Sequence, residues 1–278
     1  MLIYPKAKIQ YPMSLEREYA RILRDYTRGV NQICRDYLPY MVDEAMANSV
    51  QADMRADSWI SNVTDRVKQA IDSKLRINDK ISAMFEKVKG FAKSQQGKIF
   101  TSIFGSIPKQ RPPRDYEMLK QIWTSQNLTL IKSIDDRTME AIHYALSRNV
   151  IRTVDRKELV SELTQTIKHM AGVNERRAAL IACDQVGKLN SQLAQYEQFN
   201  QGVTSYIWST RRDNRVRQKH REREGKVFSW DNPPDDGHPG WPVRCRCVAV
   251  PAYDTDKVGM KPKTGSFREV GKDNSVSQ

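Results

Sequence analysis

Two histidines and two cysteines, His220, His238, Cys245 and Cys247, fall within one stretch, Tyr206 to Pro251, of a 278-residue chain. Thiolate and imidazole match the borderline softness of zinc, and a tetrahedral ion commonly takes two of each. One residue separates Cys245 from Cys247. In extended backbone both sulfurs would therefore point to the same side, where a loop carrying His238 could fold over them. This spacing is shorter than the roughly two to four residues between the cysteines of common zinc fingers, and so short a loop disfavours an internal disulfide. The same four side chains also suit a metal-free strand-and-loop core in which His220 hydrogen-bonds Asp213 or a backbone carbonyl. Zinc and plain packing both remain open on the residues alone.

The segment RRDNRVRQKHREREGK in this stretch sets eight Lys and Arg against three acids. Guanidinium groups hold phosphate in a bidentate fork, so Arg211, Arg212, Arg215, Arg217, Lys219 and Arg221 are candidate contacts to a nucleic-acid backbone. The alternative is a local ion-pair network of Asp213, Arg215, Arg217 and His220 that fixes the turn. Trp208 and Trp230 could stack on bases, although indoles beside a small sheet usually form its core. Asp213, His220 and Glu222 or Glu224 offer a metal ligand and a general base to a metal-dependent nuclease. The chain lacks a second dense carboxylate cluster, a phosphate-cradling glycine loop, a nucleophile elbow and an HExxH motif, so the expectation is a protein without enzymatic activity.

Composition agrees with a structural or polyanion-facing role. The net charge is +13 and hydrophobic residues make up 39%, with a mean hydropathy of −0.68. Low apolar content with many charges suits elongated helices better than a tight α/β body. The start, MLIYPKAKIQYP, is too polar for a signal peptide. No window approaches the ~20 apolar residues of a membrane span. Reduced cysteines and a cytosolic site of synthesis are expected.

The expected class is mainly α (α+β): an elongated helical N-terminal region, a helical middle domain and a small C-terminal β/loop subdomain. Residues 1–13 read as an extended lead-in. Residues 14–110 read as helices with one apolar face, such as Ile60, Val63, Val67, Ile71 and Leu75, or Ile81, Met84, Phe85, Val88 and Phe91. Such faces need covering by each other or by an assembly partner. Pro39 should bend or end a helix, and Pro108, Pro112 and Pro113 mark a boundary near 105–114. Beyond it, Asp135 and Asp136 offer an N-cap, Asp155 with Glu158 forms a capping box, Gly172 ends a helix and Asn174 caps the next. His143 and Cys183 read as packing residues, while His169 is placed in a last turn. Gly187 inside a helix points to close packing of another element there. From 203 the period changes to two, with strands expected at 203–209, 226–230 and 247–253. Residues 254–278 read as a flexible tail.

Read in order, Trp208, Asp213-x-Arg215-Val216-Arg217-x-x-His220, Gly225-x-x-Phe228, Pro233-Pro234, Gly237-His238-Pro239-Gly240 and Cys245-Arg246-Cys247 resemble the phage Mu F-like minor head proteins, the phage head morphogenesis family. The upstream RRAALIACDQVGKLN is similar to that family's helix, with Cys183 where a basic or small polar residue is common. The resemblance covers about 116–251, within a domain spanning 114–253 whose β/loop subdomain is 203–253. It marks Trp208, Asp213, Phe228, Pro234, Gly240 and Arg246 as structural motif residues. It implies a minor capsid protein present in several copies per virion and incorporated during procapsid assembly in the host cytoplasm. Its implied partners are the portal protein or capsid interior and packaged double-stranded DNA, with no membrane. A packaging nuclease is the competing class. A fused toxin is disfavoured because no further module is expected after Pro251.

Overall fold

The computed structural model describes residues 1–48, 56–106, 116–152 and 155–271. In chain order these hold β1 (Leu2–Pro5), α1 (Met13–Asp36), α2 (Leu38–Asn48), α3 (Ala56–Lys74), α4 (Asn78–Phe104), α5 (Tyr116–Arg152), α6 (Arg156–Asn200), β2 (Ser205–Ser209), α7 (Gln218–Glu222), β3 (Val227–Ser229), β4 (Val248–Asp254), α8 (Thr255–Val258) and β5 (Phe267–Glu269). The protein is mainly helical with one small antiparallel sheet, as its periodicity predicts. Pro108, Pro112 and Pro113, on which the boundary near 105–114 rests, lie outside the described residues, as do residues 272–278.

Two compact units are present. One comprises 20–81 and 124–181, the other 1–19, 82–123 and 182–278. The first is all helix. The α3 stripe Ile60, Val63, Val67 and Ile71 is buried there, as are Leu23, Val30, Ile134, Ile142 and Leu163. Pro39 falls in the first turn of α2, where its missing N–H leaves no intrahelical bond unmade.

Three predicted helix ends in 124–181 are absent. Asp135 caps nothing: α5 runs through it, and the buried carboxylate accepts the Tyr26 hydroxyl at 2.6 Å. Burial pushes its pKa up to about 7. Gly172 and Asn174 likewise lie inside the continuous α6. Asn174 Nδ2 donates to Thr138 Oγ1 at 2.9 Å. Polar side chains that read as caps locally are used as buried bridges between helices. His169 is therefore mid-helix rather than in a last turn. Asp155 does cap α6, accepting from the Glu158 N–H at 2.8 Å.

The second unit holds the sheet, in the order β3-β2-β4-β1-β5 with antiparallel neighbours. The lead-in is an integral part of it. Ile3 of β1 is fully buried and packs with Phe100, Ile103, Val203 and Tyr253. Residues 254–271, expected as part of a flexible tail, carry α8 and β5, and β5 pairs with β1 from Ile3↔Glu269 to Pro5↔Phe267. Alternation in that stretch is too short to read as a strand, and its partner lies at the far end of the chain. The end of α6 is tied to the sheet through Gln198, which accepts from Trp230 Nε1 at 2.9 Å and donates to the Ala249 carbonyl at 3.1 Å.

Candidate functional site

One face of β2 supplies Tyr206 and Trp208. With Phe228 and Trp230 they form an aromatic floor that also buries Cys245 and Cys247. The chain between β2 and β3 folds into the five-residue α7, whose only buried side chain is His220. The imidazole stands edge-on to Trp208, with ring centroids 5.2 Å apart. The two cysteines arrive on the run-in to β4. A turn sets them there: the Cys245 N–H donates to the Pro242 carbonyl at 2.8 Å, with Arg244 in the left-handed region at φ 61°. From behind, α6 presents Gly187, the close-packing position its sequence suggests. A Cβ there would stand 3.0 Å from the Cys245 carbonyl oxygen.

These elements bring His220, Cys245 and Cys247 together, at 2%, 4% and 5% exposure. His220 Nδ1 lies 3.6 Å from each sulfur. Among the described residues this is the one group of three metal-capable His, Cys, Asp or Glu side chains whose ligand atoms converge, all within 4.8 Å. The opposite ring nitrogen, Nε2, meets Asp236 Oδ2 at 3.0 Å. Asp236 also accepts from Lys219 Nζ at 2.7 Å and Arg223 Nη1 at 2.5 Å. Burial alone would raise the Asp236 carboxyl, but these three donors outweigh it and hold its pKa far below the usual range.

The two sulfurs are shifted in opposite directions. The Cys247 side chain and backbone N–H both donate toward Cys245, and with His220 they draw the Cys245 thiol down to about 4 against the opposing effect of burial. The hydrogen bond to Cys245, together with burial, pushes Cys247 up. Hydrogen bonding to Cys245 raises His220, with Asp236 adding to it and burial opposing it. A cavity of about 480 Å³ opens beside the cluster, lined by all three residues together with Asp213 and several arginines.

His238 is not part of this cluster, contrary to the four-ligand expectation. Its Nδ1 shares a 3.0 Å hydrogen bond with the Tyr206 hydroxyl. Its ring packs against Trp230 and Trp241, with centroids 4.8 and 5.2 Å away. The loop carrying it folds onto the aromatic floor rather than over the sulfurs. The partner of His220 is also not Asp213 but Asp236, one of two adjacent aspartates in a proline-rich loop that no periodicity orients.

Most of the proposed phosphate-binding cations have local partners. Arg212 forks onto Glu224 at 2.9 and 3.0 Å, and Arg211 approaches Asp213 at 3.5 Å. Lys219 pairs with Asp236, Arg217 donates to the Val243 carbonyl at 2.6 Å, and Arg221 to that of Asn214 at 3.2 Å. Arg215 is exposed and gives its backbone N–H to Asp213. Of the nuclease candidates, Asp213 lines the same cavity as His220, while Glu224 is engaged by Arg212 and by the Thr210 N–H.

The motif residues hold the subdomain together. Trp208 and Phe228 are core, Pro234 accepts from the Gly237 N–H at 2.8 Å, and Gly240, at φ 93°, packs on α6. Arg246 turns away from the flanking sulfurs to grip Glu16 of α1 through bonds of 2.6 and 2.9 Å. Burial by itself would raise the Glu16 carboxyl; Arg246 and Tyr11 more than offset this and hold it below its ordinary value. Glu16 lies 230 positions from Arg246, and nothing in the sequence marks it.

Fold and site define a helical protein with a small antiparallel sheet that encloses a histidine–dicysteine centre. Residues 141–250, about two fifths of the chain, match the family described as Phage Mu protein F like protein, and this part of the chain is similar to that family. Over 139 residues, half of this chain, it is 37% identical to a protein of Haemophilus influenzae described as uncharacterized, and the match spans 30% of that relative's length. No solved structure matches the chain. No helix among the described residues is long and apolar enough to cross a membrane.

Proposed function

We propose that this chain is a minor head protein of a tailed phage, incorporated during procapsid assembly at the portal vertex in several copies and lying beside the packaged genome. The observation that carries this is the family match over 141–250, a region that includes α6, β2, β3, the start of β4 and the cysteine–histidine centre. The internal use of the shared motif supports a structural role: Trp208, Phe228, Gly240 and Arg246 pack or brace the subdomain instead of lining a set of converging acids. The net charge of +13 suits a location near DNA. Capsid interior and portal are its partners under this reading, and DNA packaging is the process it serves.

The test is co-expression of the full chain with the portal and major capsid proteins of one phage, followed by purification of heads. The expected result is that the chain copurifies with the portal and is retained in procapsids. Absence from procapsids together with no association with the portal overturns the proposal.

A further inference from the structure

We infer that His220 Nδ1, Cys245 Sγ and Cys247 Sγ hold a zinc ion, with Asp236 orienting the histidine and the fourth position facing the arginine-lined cavity. The warrant is geometric. Tetrahedral zinc with Zn–S of about 2.3 Å and Zn–N of about 2.0–2.1 Å sets nitrogen and sulfur ligands about 3.5–3.6 Å apart. Both nitrogen–sulfur distances are 3.6 Å. A hydrogen bond to sulfur also spans this distance, but one imidazole nitrogen equidistant from two sulfurs matches two edges of a coordination tetrahedron.

The second shell agrees. A ligating histidine characteristically donates its other ring N–H to a carboxylate, which fixes tautomer and orientation. His220 Nε2 has that partner in Asp236 at 3.0 Å, and Asp236 is itself fixed by Lys219 and Arg223. The Cys247 N–H directed at Cys245 Sγ stabilises a thiolate, the form a metal requires. His238 cannot contribute its Nδ1, which is committed to Tyr206.

Three protein ligands leave one position open, as in zinc sites that bind an exchangeable ligand. Here that position meets a cavity of about 480 Å³ bordered by Arg211, Arg215, Arg217 and Arg244. The ligand it takes is water or a small anion. This site is independent of where the protein sits in the phage head, so failure of the portal experiment leaves it untouched.

The experiment uses the full-length protein. Elemental mass spectrometry after purification without chelator should find about one zinc per chain. Exchange into cobalt(II) should give the visible bands of a tetrahedral site and the thiolate charge-transfer intensity of two sulfurs. Azide should shift the visible bands, because the fourth position is open. His220→Gln and Cys247→Ser should abolish stoichiometric metal, and His238→Gln should retain it. Asp236→Asn should bind roughly 10–100-fold more weakly. The wild-type cobalt spectrum stands even where a variant fails to fold. Folded wild-type protein that takes up neither zinc nor cobalt overturns the site. So does a weak octahedral spectrum, or metal lost in His238→Gln and kept in His220→Gln. A cobalt spectrum indifferent to azide overturns the open fourth position.

Discussion

Arg246 lies between the two cysteines, yet its guanidinium is spent on α1. Its fork closes on Glu16, with side-chain exposures of 23% and 10%. Two parallel bonds on a mostly buried carboxylate tie the run-in of β4 to the first helix, which explains why the residue between the sulfurs must be arginine and not another cation. In Arg246→Ala the Glu16 carboxylate is left buried without its counter-charge, at a cost of about 2–3 kcal/mol after allowing for its partial exposure. The pH dependence follows from the sign of the shift. Glu16 is held below its ordinary value in the native protein. It therefore contributes stability above the unfolded carboxylate range, and that contribution is lost as pH falls through the lower folded value. Without Arg246, burial is left to raise the same group, so Glu16 takes up a proton more readily in the folded variant. Urea unfolding should show the full difference between wild type and Arg246→Ala at pH 7.5 and a much smaller one at pH 4. A difference independent of pH would mean that the loss is one of packing alone. The sequence shows the two cysteines and the histidine as candidates because residue type and spacing carry that chemistry. It cannot show Asp236 or Glu16, since the one sits in an aperiodic loop and the other meets Arg246 only through the tertiary fold.

At the scale of elements, the crossing of α6 with the loop before β4 is a contact of backbone on backbone. A Cβ on Gly240 would stand 2.8 Å from the Gly187 carbonyl oxygen, at a φ of 93° that L side chains rarely adopt. A Cβ on Gly187 would stand 3.0 Å from the Cys245 carbonyl and 3.4 Å from that of Gly240. Further up the same helix Gly172 meets nothing within 4 Å. Three alanine substitutions should therefore separate cleanly in thermal unfolding. Gly172→Ala gains about 0.5–1 kcal/mol from helix propensity alone. Gly187→Ala gains the same propensity but must push the Cys245 backbone aside, and comes out destabilised. Gly240→Ala suffers strain and clash together and loses about 3 kcal/mol or more. Equal effects at Gly187 and Gly172 would show that the crossing is looser than its distances imply. These helices also mark what periodicity can and cannot read. The apolar stripes at 60–71 and 81–88 were legible because burial on one face imposes the 3.6-residue repeat. The ends at Asp135, Gly172 and Asn174 were not, because tertiary partners such as Tyr26 and Thr138 take over the polar groups that would otherwise cap a helix. The strand β5 escaped for a related reason: its hydrogen-bonding partner is β1, at the other terminus.

For the whole molecule, the proposed place beside packaged DNA makes the net charge of +13 testable as a binding property. Six phosphate contacts from Arg211, Arg212, Arg215, Arg217, Lys219 and Arg221 would give a salt slope, d log K/d log [salt], of about −5 on duplex DNA. The fold argues for fewer. Arg212 is forked onto Glu224, Lys219 onto Asp236, and Arg217 and Arg221 onto backbone carbonyls. Exposed pairs of this kind are worth only about 0–1 kcal/mol each, so a phosphate can displace some of them but not all at once. Binding should therefore be independent of sequence, and fluorescence anisotropy with a labelled duplex should give a slope of about −2 to −3 between 50 and 200 mM salt. Arg215→Ala, which removes an exposed cation on this segment, should make the slope shallower by about one. Lys219→Ala should change it less, because that ammonium already pairs with Asp236. Sequence preference in the duplex, or no binding even at 50 mM salt, would remove direct DNA contact from the account and leave the basic charge as a property of the protein's surface alone.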